Sequence, residues 1–532
     1  MINSGIISGA VICDGTGAEP FRADLLFENG IISGTGSNFP KDLPVFRGEN
    51  LVLAPGFIDI HAHSDLSLAA APDAFGKISQ GVTTEVSGNC GLSPFPVLND
   101  EVRSHLQKIY QKYNFPVTWN DFSGYISAVE AEKPAINFAS FCGYNTLRAN
   151  FTGYQNTPFS GEKMEEMRGL LSEMLDQGAV GLSTGLLYVP GRFADAEELE
   201  FIVSVLKGTG KTIAMHLRSE GDNLIESVEE AIRIAKAADN KLQISHLKTA
   251  LPRNWNKIDL LLNTIREAQN SGCTIHADRY PYTFAQTSLS VILPPPWDNM
   301  SDAAIMEDLN QNPEKQEILI QELRKNAPDW ERIILCTTAQ KEAATYSGEP
   351  FLNICKALRK KPEELCTELM TADAPGTMAA FGGLSGENLK RILSETYVCC
   401  GSDETARPED KSLGISHPRG FGSFPKFFQF VKENAGIGEA IRRMTSLPAE
   451  ICNFSDRGIL KPGYAADMVL FDPEHFRDRA TFKNPHTKAD GIHSVFVNGV
   501  LSFSNGQVIQ RAGKGLKIKR CVHKDTGQIP ER

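Results

Sequence analysis

The histidines of this sequence are spaced as metal ligands are spaced. His61 and His63 are separated by one residue, and because side chains alternate along an extended chain, both imidazoles lie on one face. His216 and His246 each follow a short apolar run with the length of a strand. Neutral imidazole is a common ligand of zinc and other transition metals. We therefore expect the four histidines to converge on one metal site.

A cysteine and an aspartate follow two other apolar runs and complete the predicted site. Cys90 is flanked by Asn89 and Gly91 rather than by apolar residues, which favours a position outside the core. A thiolate beside histidines suits zinc better than magnesium or calcium, which bind oxygen. The alternative interpretation of Cys90 is a small core cysteine. Asp403 ends the last run, and alternation sends the adjacent Glu404 to the other strand face. A carboxylate near an attacking water can take its proton and deliver it to the leaving nitrogen, so we predict Asp403 as the general base and acid.

These residues fall at the ends of short strands that alternate with helical segments. Eight strands are predicted, over 56–63, 83–90, 137–144, 179–186, 212–218, 242–248, 274–282 and 396–403. Eight is the number that a closed parallel barrel requires, and barrel enzymes build their active sites at the carboxyl ends of the strands. The predicted fold class is therefore α/β, with a (β/α)₈ TIM barrel.

The two ends of the chain differ in texture from its middle. Short apolar runs separated by turn signals recur in 1–54 and 458–510, which predicts one small β-sandwich domain built from both termini. The barrel is expected over 55–457. After the seventh strand, 284–345 is too long for a connector and is predicted to be an insertion that covers the active site. The basic C-terminal tail, 511–532, is expected to be a solvated terminus.

Composition excludes several classes of protein. With 41% hydrophobic and 22% charged residues in 532, the chain has an ordinary globular composition rather than a disordered or fibrous one. A net charge of −11 argues against nucleic acid as a partner. No run approaches the roughly 18 apolar residues of a membrane helix, and no secretory signal is recognisable. Eleven scattered cysteines indicate a reduced chain, so we expect a cytoplasmic protein whose partner is a small-molecule substrate.

Longer motifs carry a family resemblance that spans roughly 51–506. They include Pro55-Gly-Phe-Ile-Asp-Ile-His-Ala-His-Ser-Asp, Ser87-Gly-Asn-Cys-Gly, Gly181-Leu-Ser-Thr-Gly-Leu-Leu-Tyr-Val-Pro-Gly, His417-Pro-Arg and Gly422-Ser-Phe-Pro. The first resembles the metal-binding opening of the amidohydrolase superfamily. The second and third resemble its N-acyl-D-amino-acid deacylase, or D-aminoacylase, branch.

The resemblance implies a particular metal centre. In that family a cysteine substitutes for the carboxylated lysine that bridges two metals in many relatives. Carried onto this sequence, one tight zinc would be held by Cys90, His216 and His246. A weaker second site would consist of His61, His63 and Asp403, with Asp403 also serving as the proton shuttle.

The resemblance also implies how a substrate is held. Lys248 and Tyr280 match residues that grip the substrate carboxylate, and Tyr188 matches a tyrosine that lines the pocket. The family pattern after Tyr280 is not preserved, which leaves Thr287 or Ser288 as the third carboxylate contact.

Arginines near the predicted rim leave two interpretations open. Arg218, Arg279 and Arg419 are each placed to bind an acidic substrate side chain or to form a structural ion pair. Among them, Arg419 is predicted to bind substrate.

The predicted function is therefore zinc-dependent hydrolysis of N-acyl-D-amino acids. The first alternative is a cyclic-amide hydrolase of the hydantoinase or dihydroorotase type, but those relatives use a bridging lysine on a middle strand, and 179–186 contains none. The second alternative is a non-catalytic amidohydrolase-like scaffold, although such chains usually lack the metal ligands.

Overall fold

The computed structural model describes residues 3–37, 39–40, 42–157 and 161–520. Its strands, in chain order, are β1 (Gly5–Ser8), β2 (Val11–Ile12), β3 (Phe21–Arg22), β4 (Asp24–Glu28), β5 (Ile31–Gly36), β6 (Val45–Arg47), β7 (Val52–Pro55), β8 (Phe57–Asp59), β9 (Val82–Ser87), β10 (Asn137–Ser140), β11 (Cys142–Gly143), β12 (Gly181–Gly185), β13 (Thr212–His216), β14 (Lys241–Ile244), β15 (Ile275–Arg279), β16 (Ala285–Ser288), β17 (Ile333–Thr337), β18 (Met378–Phe381), β19 (Val398–Cys400), β20 (Met468–Phe471), β21 (Ile492–Val497), β22 (Val500–Ser504) and β23 (Gln507–Val508).

Helices connect most of the central strands. They are α1 (Ser67–Ala70), α2 (Phe75–Ile78), α3 (Asp100–Ile109), α4 (Phe122–Ala131), α5 (Tyr144–Thr152), α6 (Gly161–Gln177), α7 (Ala196–Val203), α8 (Leu224–Ala237), α9 (Ile258–Asn270), α10 (Asp302–Gln311), α11 (Pro313–Lys325), α12 (Lys341–Ala344), α13 (Phe351–Leu358), α14 (Pro362–Asp373), α15 (Gly386–Ser394), α16 (Arg419–Ala435), α17 (Ile437–Arg442) and α18 (Ser446–Ile451). Side-chain caps begin several of them, as where Asn99 accepts from the Val102 amide at α3. Within the described ranges, no helix has both the length and the apolar character needed to cross a membrane.

The central strands are parallel and follow one another in sequence order. One sheet has the order β10-β9-β8 and a second has the order β11-β12-β13-β14-β15-β19, with only Phe141 between β10 and β11. These strands are buried, as parallel strands covered by crossover helices must be. The α/β class is confirmed, and each of the eight predicted strand segments overlaps at least one of these nine strands, with 137–144 spanning both β10 and β11.

Strands from both ends of the chain share a further sheet, of order β23-β22-β21-β20-β7-β2-β3. In it β7 pairs with β20, with Leu53 opposite Leu470. A four-stranded sheet, β5-β4-β1-β6, packs against it through a separate core that includes Ile7, Phe27 and Phe496. The termini therefore meet, as the sequence predicts, while the division into domains stays a prediction.

The segment after β15 forms a unit with its own core. Three antiparallel strands, in the order β16-β18-β17, pack with helices α10 to α14 around buried residues that run from Leu289 to Ala379. The predicted end of the insertion, at residue 345, is too early, because the unit continues to Phe381. Helices α13 and α14, which lie beyond residue 345, contribute side chains such as Phe351 and Leu365 to the core of this unit.

The C-terminal segment corrects the expectation of a solvated tail. Gly513 donates to the Pro134 carbonyl (2.8 Å), Leu516 to Phe138 (2.7 Å) and Ile518 to Gly178 (2.9 Å). These carbonyls lie at the amino-terminal ends of the central strands, and the tail satisfies them. The prediction is therefore wrong for 511–520, and 521–532 lie outside the described residues.

Candidate metal centre and active site

Four side chains from different strands meet at one point. They are His61, which follows β8, Cys90, which follows β9, His246, which follows β14, and Asp403, which follows β19. The Cys90 sulfur lies 3.3 Å from His61 Nε2 and 3.4 Å from His246 Nε2, and Asp403 Oδ1 lies 3.5 Å from His61 Nε2. One ligand atom from each residue lies within 4.8 Å of the others, and all four residues are buried. The four side chains form a cage of sulfur, nitrogen and oxygen atoms in which a cation can be bound.

The backbone at three of these positions is in the left-handed region. The φ angles are 52° at Cys90, 37° at His246 and 53° at Asp403. Residues with a Cβ pay a steric cost there, and such strain clusters at functional sites where the surrounding structure imposes it. Each strand thus ends in a turn that aims its last side chain across the site.

His216 and His63 join the cluster from opposite sides. The His216 ring centroid is 4.4 Å from that of His246, and neither His216 nitrogen has a hydrogen-bond partner among the described residues although both are buried. An unpaired buried imidazole is costly, and a cation ligated by it removes that cost. His63 lies further out and places Nε2 3.0 Å from Asp403 Oδ1. The structure thus brings together all six residues predicted as ligands.

Two carboxylates that the sequence analysis missed support the histidines. Asp278 Oδ1 lies 3.0 Å from His61 Nδ1 and accepts from the His246 amide (2.9 Å). Glu220 Oε1 lies 2.9 Å from His246 Nδ1. A carboxylate on Nδ1 leaves Nε2 free for a metal and fixes the ring orientation. The available signals were the place of Asp278 at a strand end and that of Glu220 four residues after His216.

The charges around the site favour anionic ligands. Burial alone raises the pKa of the Cys90 thiol, but the positive charges of His61 and His246 prevail and lower it well below its ordinary value. Burial likewise raises the pKa of Asp403, and Arg419 with His61 lowers it further than burial raises it. Both groups are therefore ionised at neutral pH, the form in which they bind cations.

A cationic patch, formed by Arg279, Arg419 and Lys248 around the Tyr280 side chain, adjoins the carboxylate side of the cluster. Arg419 Nη1 donates to Asp403 Oδ2 (2.6 Å), and its guanidinium lies 4.7 Å from the centre of the Tyr280 ring, with Arg279 at 4.0 Å from the same ring. Burial would raise the pKa of Tyr280, but Arg279, Lys248 and Arg419 together lower it. The Tyr280 hydroxyl is buried and has no partner among the described residues, so it can donate to an anion.

Comparison with known proteins decides the family. The amidohydrolase family profile matches residues 431–503. The N-acyl-D-glutamate deacylase of Alcaligenes xylosoxydans xylosoxydans is 30% identical over 518 residues, which cover 96% of each chain. The chain belongs to the N-acyl-D-amino-acid deacylase family. The D-aminoacylase of the same organism is 30% identical over 503 residues and 93% of each chain. The resemblance predicted from the motifs is confirmed.

A solved structure of the family supports the same conclusion. The N-acyl-D-glutamate deacylase from Bordetella bronchiseptica, complexed with zinc and a phosphonate mimic of the tetrahedral intermediate, aligns with a TM-score of 0.80 and 31% identity. The alignment covers 97% of this chain and 100% of that one. This protein is therefore an amidohydrolase enzyme.

Of the other predicted residues of this deacylase-family site, Tyr188 lies at the metal cluster and Arg218 does not. Tyr188 lies beside the cluster, with its ring centroid 4.9 Å from that of His216 and its hydroxyl 3.2 Å from Thr287 Oγ1. Arg218 instead pairs with Glu230 at 2.9 Å, which makes it a structural residue.

Ser288 and Glu404 have hydrogen-bond partners outside the metal cluster. Thr287 lies next to the cluster through its contact with Tyr188, whereas Ser288 accepts from the Ser290 amide, so Thr287 is the nearer of the two candidates for a carboxylate contact. Glu404 turns to the His417 amide (3.3 Å) and to Arg407 (3.6 Å).

Proposed function

We propose that the protein hydrolyses the amide bond of N-acyl-D-amino acids at a zinc ion held by Cys90, His216 and His246. The observation that carries the proposal is the meeting of a thiolate and imidazoles from separate strands, next to a buried cationic patch. The relatives named above act on N-acyl-D-amino acids according to their names, which supports both the linear amide and the D configuration.

The fold that positions this site is proposed to be a closed (β/α)₈ barrel with a terminal β-sandwich domain. Support for closure comes from the junction of β8 and β19, where the Asp403 amide donates to the His61 carbonyl (2.7 Å) and Ala62 bridges to Glu404. Residues of five central strands also share one buried cluster with Val180, which directly precedes β12; they are Ile58, Val86, Ala139, Ala214 and Cys399. Strands of a flat sheet cannot all reach one cluster.

The residues present fit zinc. Sulfur and imidazole nitrogen are its preferred ligands. Among the described residues the ring nitrogens of His216 have no hydrogen-bond partner, so one of them is free to bind the cation. When bound, zinc polarises the amide carbonyl and makes water nucleophilic at neutral pH. His61, His63 and Asp403 would hold a second, weaker ion.

Asp403 is proposed to move the proton. Its Oδ1 faces His63 and its Oδ2 accepts from Arg419, so the carboxylate is fixed at the edge of the cage. Because its pKa is low, Asp403 is ionised and free to take the proton of the attacking water, and once protonated it is acidic enough to release that proton to the leaving nitrogen. Arg419 keeps this carboxylate oriented through both proton transfers.

The cationic patch is proposed to bind the substrate α-carboxylate. Lys248 forms an ion pair with Glu220, and its Nζ lies 2.8 Å from His246 Nδ1. The ammonium is therefore held next to the metal cage. Tyr280 offers its unpartnered hydroxyl, and Arg419 lies against the ring of that tyrosine. Charge-assisted contacts of this type orient a substrate and contribute binding energy.

A substrate panel tests the proposal. Zinc-loaded protein is incubated with N-acetyl-D- and N-acetyl-L-amino acids and with hydantoins, and the released amine and ring-opened product are quantified. We expect hydrolysis of the D series well above the L series. Ring opening of hydantoins without hydrolysis of any linear amide would overturn the proposal, as would zinc-loaded protein that turns over neither class.

A further inference from the structure

The turn that carries Cys90, residues 88–91, has an unfavourable backbone conformation. Gly88, Cys90 and Gly91 have φ angles of 71°, 52° and 76°, all in the left-handed region. Glycine adopts this region freely, whereas a residue with a Cβ is destabilised there, so Cys90 by itself favours other conformations. Contacts from outside the Cys90 turn therefore hold the thiolate at its place beside His61 and His246.

One hydroxyl group bridges the two sides of the Cys90 turn. Ser183 Oγ, on β12, donates to the Gly88 carbonyl and accepts from the Gly91 amide at 3.1 Å. These two backbone groups lie on either side of Cys90. Ser183, Gly88 and Gly91 are all buried, so water is not at hand to replace the hydroxyl. A single side chain thus closes the turn across its cysteine.

The end of the same strand approaches the backbone of Cys90 closely. A Cβ added to Gly185 would lie 2.0 Å from the Cys90 carbonyl oxygen, so glycine is required there. Asn145 ties the two segments together, because its amide donates to the Gly91 carbonyl (2.9 Å) and its side chain donates to the Gly185 carbonyl (3.0 Å). The Cys90 turn is therefore packed directly on β12 and cannot move toward it.

These contacts give a role to the motif Gly181-Leu-Ser-Thr-Gly-Leu-Leu-Tyr-Val-Pro-Gly. Tyr188 lies beside the metal cluster, whereas Ser183 and Gly185 contact the Cys90 turn instead. Thr184, between them, is also completely buried, but its hydroxyl has no partner among the described residues. Two neighbouring hydroxyls of one strand therefore differ, since that of Ser183 holds the turn and that of Thr184 does not.

We propose that Ser183 is a positioning residue that holds the Cys90 turn in its left-handed form and so places the thiolate for metal binding. The proposal rests on the proposed function, in which Cys90 is a zinc ligand, and adds a residue that is not itself a ligand. Groups that orient metal ligands contribute about 10- to 100-fold to metal affinity. Because Ser183 forms the turn during folding, the metal meets a thiolate that is already in place.

Cobalt-substituted protein reports the bond between sulfur and metal directly. A thiolate bound to Co²⁺ gives a charge-transfer absorption in the near ultraviolet, which imidazole and carboxylate ligands do not give. We expect this band in the wild type and a weaker band in Ser183→Ala. The Kd for zinc, measured by competition with a chelator, should rise about 10- to 100-fold in that variant.

Thr184→Val is the matched control, because it removes the neighbouring buried hydroxyl of the same strand. Its cobalt spectrum and its Kd for zinc should equal those of the wild type. If Ser183→Ala gives the same spectrum and the same Kd as Thr184→Val, the proposal is overturned. A wild-type protein that binds cobalt without the thiolate band would instead overturn the proposed zinc site itself.

Hydrogen exchange of the wild-type protein supplies a measurement that needs no variant. The amides of Gly88 and Gly91 donate to Asp65 and Ser183, so peptides that cover 87–92 should exchange slowly in metal-free protein and in zinc-loaded protein alike. Fast exchange that becomes slow only after zinc is added would show that the metal orders the turn, and would overturn the role of Ser183.

Discussion

Asp403→Asn separates the chemical role of this carboxylate from its structural one. The substitution preserves the shape of the side chain but removes its charge and its ability to accept a proton. A positioned general base contributes at least about 100-fold, so kcat should fall by that factor or more. Tight zinc should remain at one equivalent, because its proposed ligands are Cys90, His216 and His246.

The structure also predicts a loss of stability in this variant. Asp403 and Arg419 are both buried and 2.6 Å apart, and removing one charge of a buried pair costs about 3–5 kcal/mol. Glu404 lies 3.9 Å from Arg419 Nε and compensates in part, so we expect the lower end, about 3 kcal/mol. Turnover must therefore be measured at a temperature at which circular dichroism shows the variant folded, with zinc quantified in the same sample.

Glu404→Gln is the matched control. It removes a buried carboxylate charge one residue away, near the same arginine, from a side chain turned toward Arg407 and the His417 amide. It should lose stability while keeping kcat within a few fold of the wild-type value. If Asp403→Asn keeps near-native kcat with zinc bound, or if both variants lose turnover equally, the assignment of Asp403 as proton carrier is wrong.

Three further predictions concern the metal, the anchor and a buried acid. Cys90→Ala should lower zinc content and activity together, measured by elemental analysis, whereas Cys142→Ala, also a buried cysteine, should retain zinc; full zinc in Cys90→Ala would assign that cysteine to the core. Lys248→Ala should reduce kcat/KM for N-acyl-amino acids by about 2 kcal/mol, roughly 30-fold, and Lys257→Ala should not; an unchanged value would remove the anchor role. Burial raises the pKa of Glu85 from 4.5 to about 7, so ionising it costs stability increasingly as pH rises between those values. The ammonium of Lys77, 3.5 Å from Glu85 and equally buried, opposes this shift without cancelling it. The free energy of unfolding of Glu85→Gln relative to wild type should then be up to about 3 kcal/mol larger at pH 8 than at pH 4; the opposite sign in urea titrations would contradict this account.

The sequence predicts that the proposed ligands lie together because each obeys a local rule. His61 and His63 alternate on one extended segment, and Cys90, His216, His246 and Asp403 each end or follow a short apolar run with the length of a strand. In a parallel arrangement all such ends lie at one edge, whatever the details of packing. Local periodicity and one topological rule therefore suffice to bring these residues together.

Supporting residues obey no comparable rule. The hydrogen bond of His61 to Asp278 spans 217 positions, and the choice of Asp278 over its neighbours depends on the twist and register of β15 against β14. The C-terminal segment was missed for a similar reason, because its basic composition predicts solvation while its backbone amides donate to carbonyls at the amino-terminal ends of β10 and β12. Amino-acid composition describes only the kinds of side chain present. The contact of Asp278 with His61 and the hydrogen bonds of the C-terminal segment both depend on how the backbone is assembled.

A buried lysine shows how such unpredicted contacts reach the site. Lys77, on α2, donates to Asp59 Oδ2 (2.6 Å), to Ser402 Oγ (2.8 Å) and to the Glu404 carbonyl (2.9 Å), and it is wholly buried. Asp59 lies two residues before His61, and Ser402 and Glu404 flank Asp403. A single ammonium thus joins the first and last central strands, at the junction where the ladder itself contributes one isolated bridge. Because a buried cation is stable only when all its donors are used, this arrangement tolerates little shift between the strands. Lys77, which belongs to no ligand motif, therefore helps to fix the distance between His61 and Asp403, on which the proposed metal site depends.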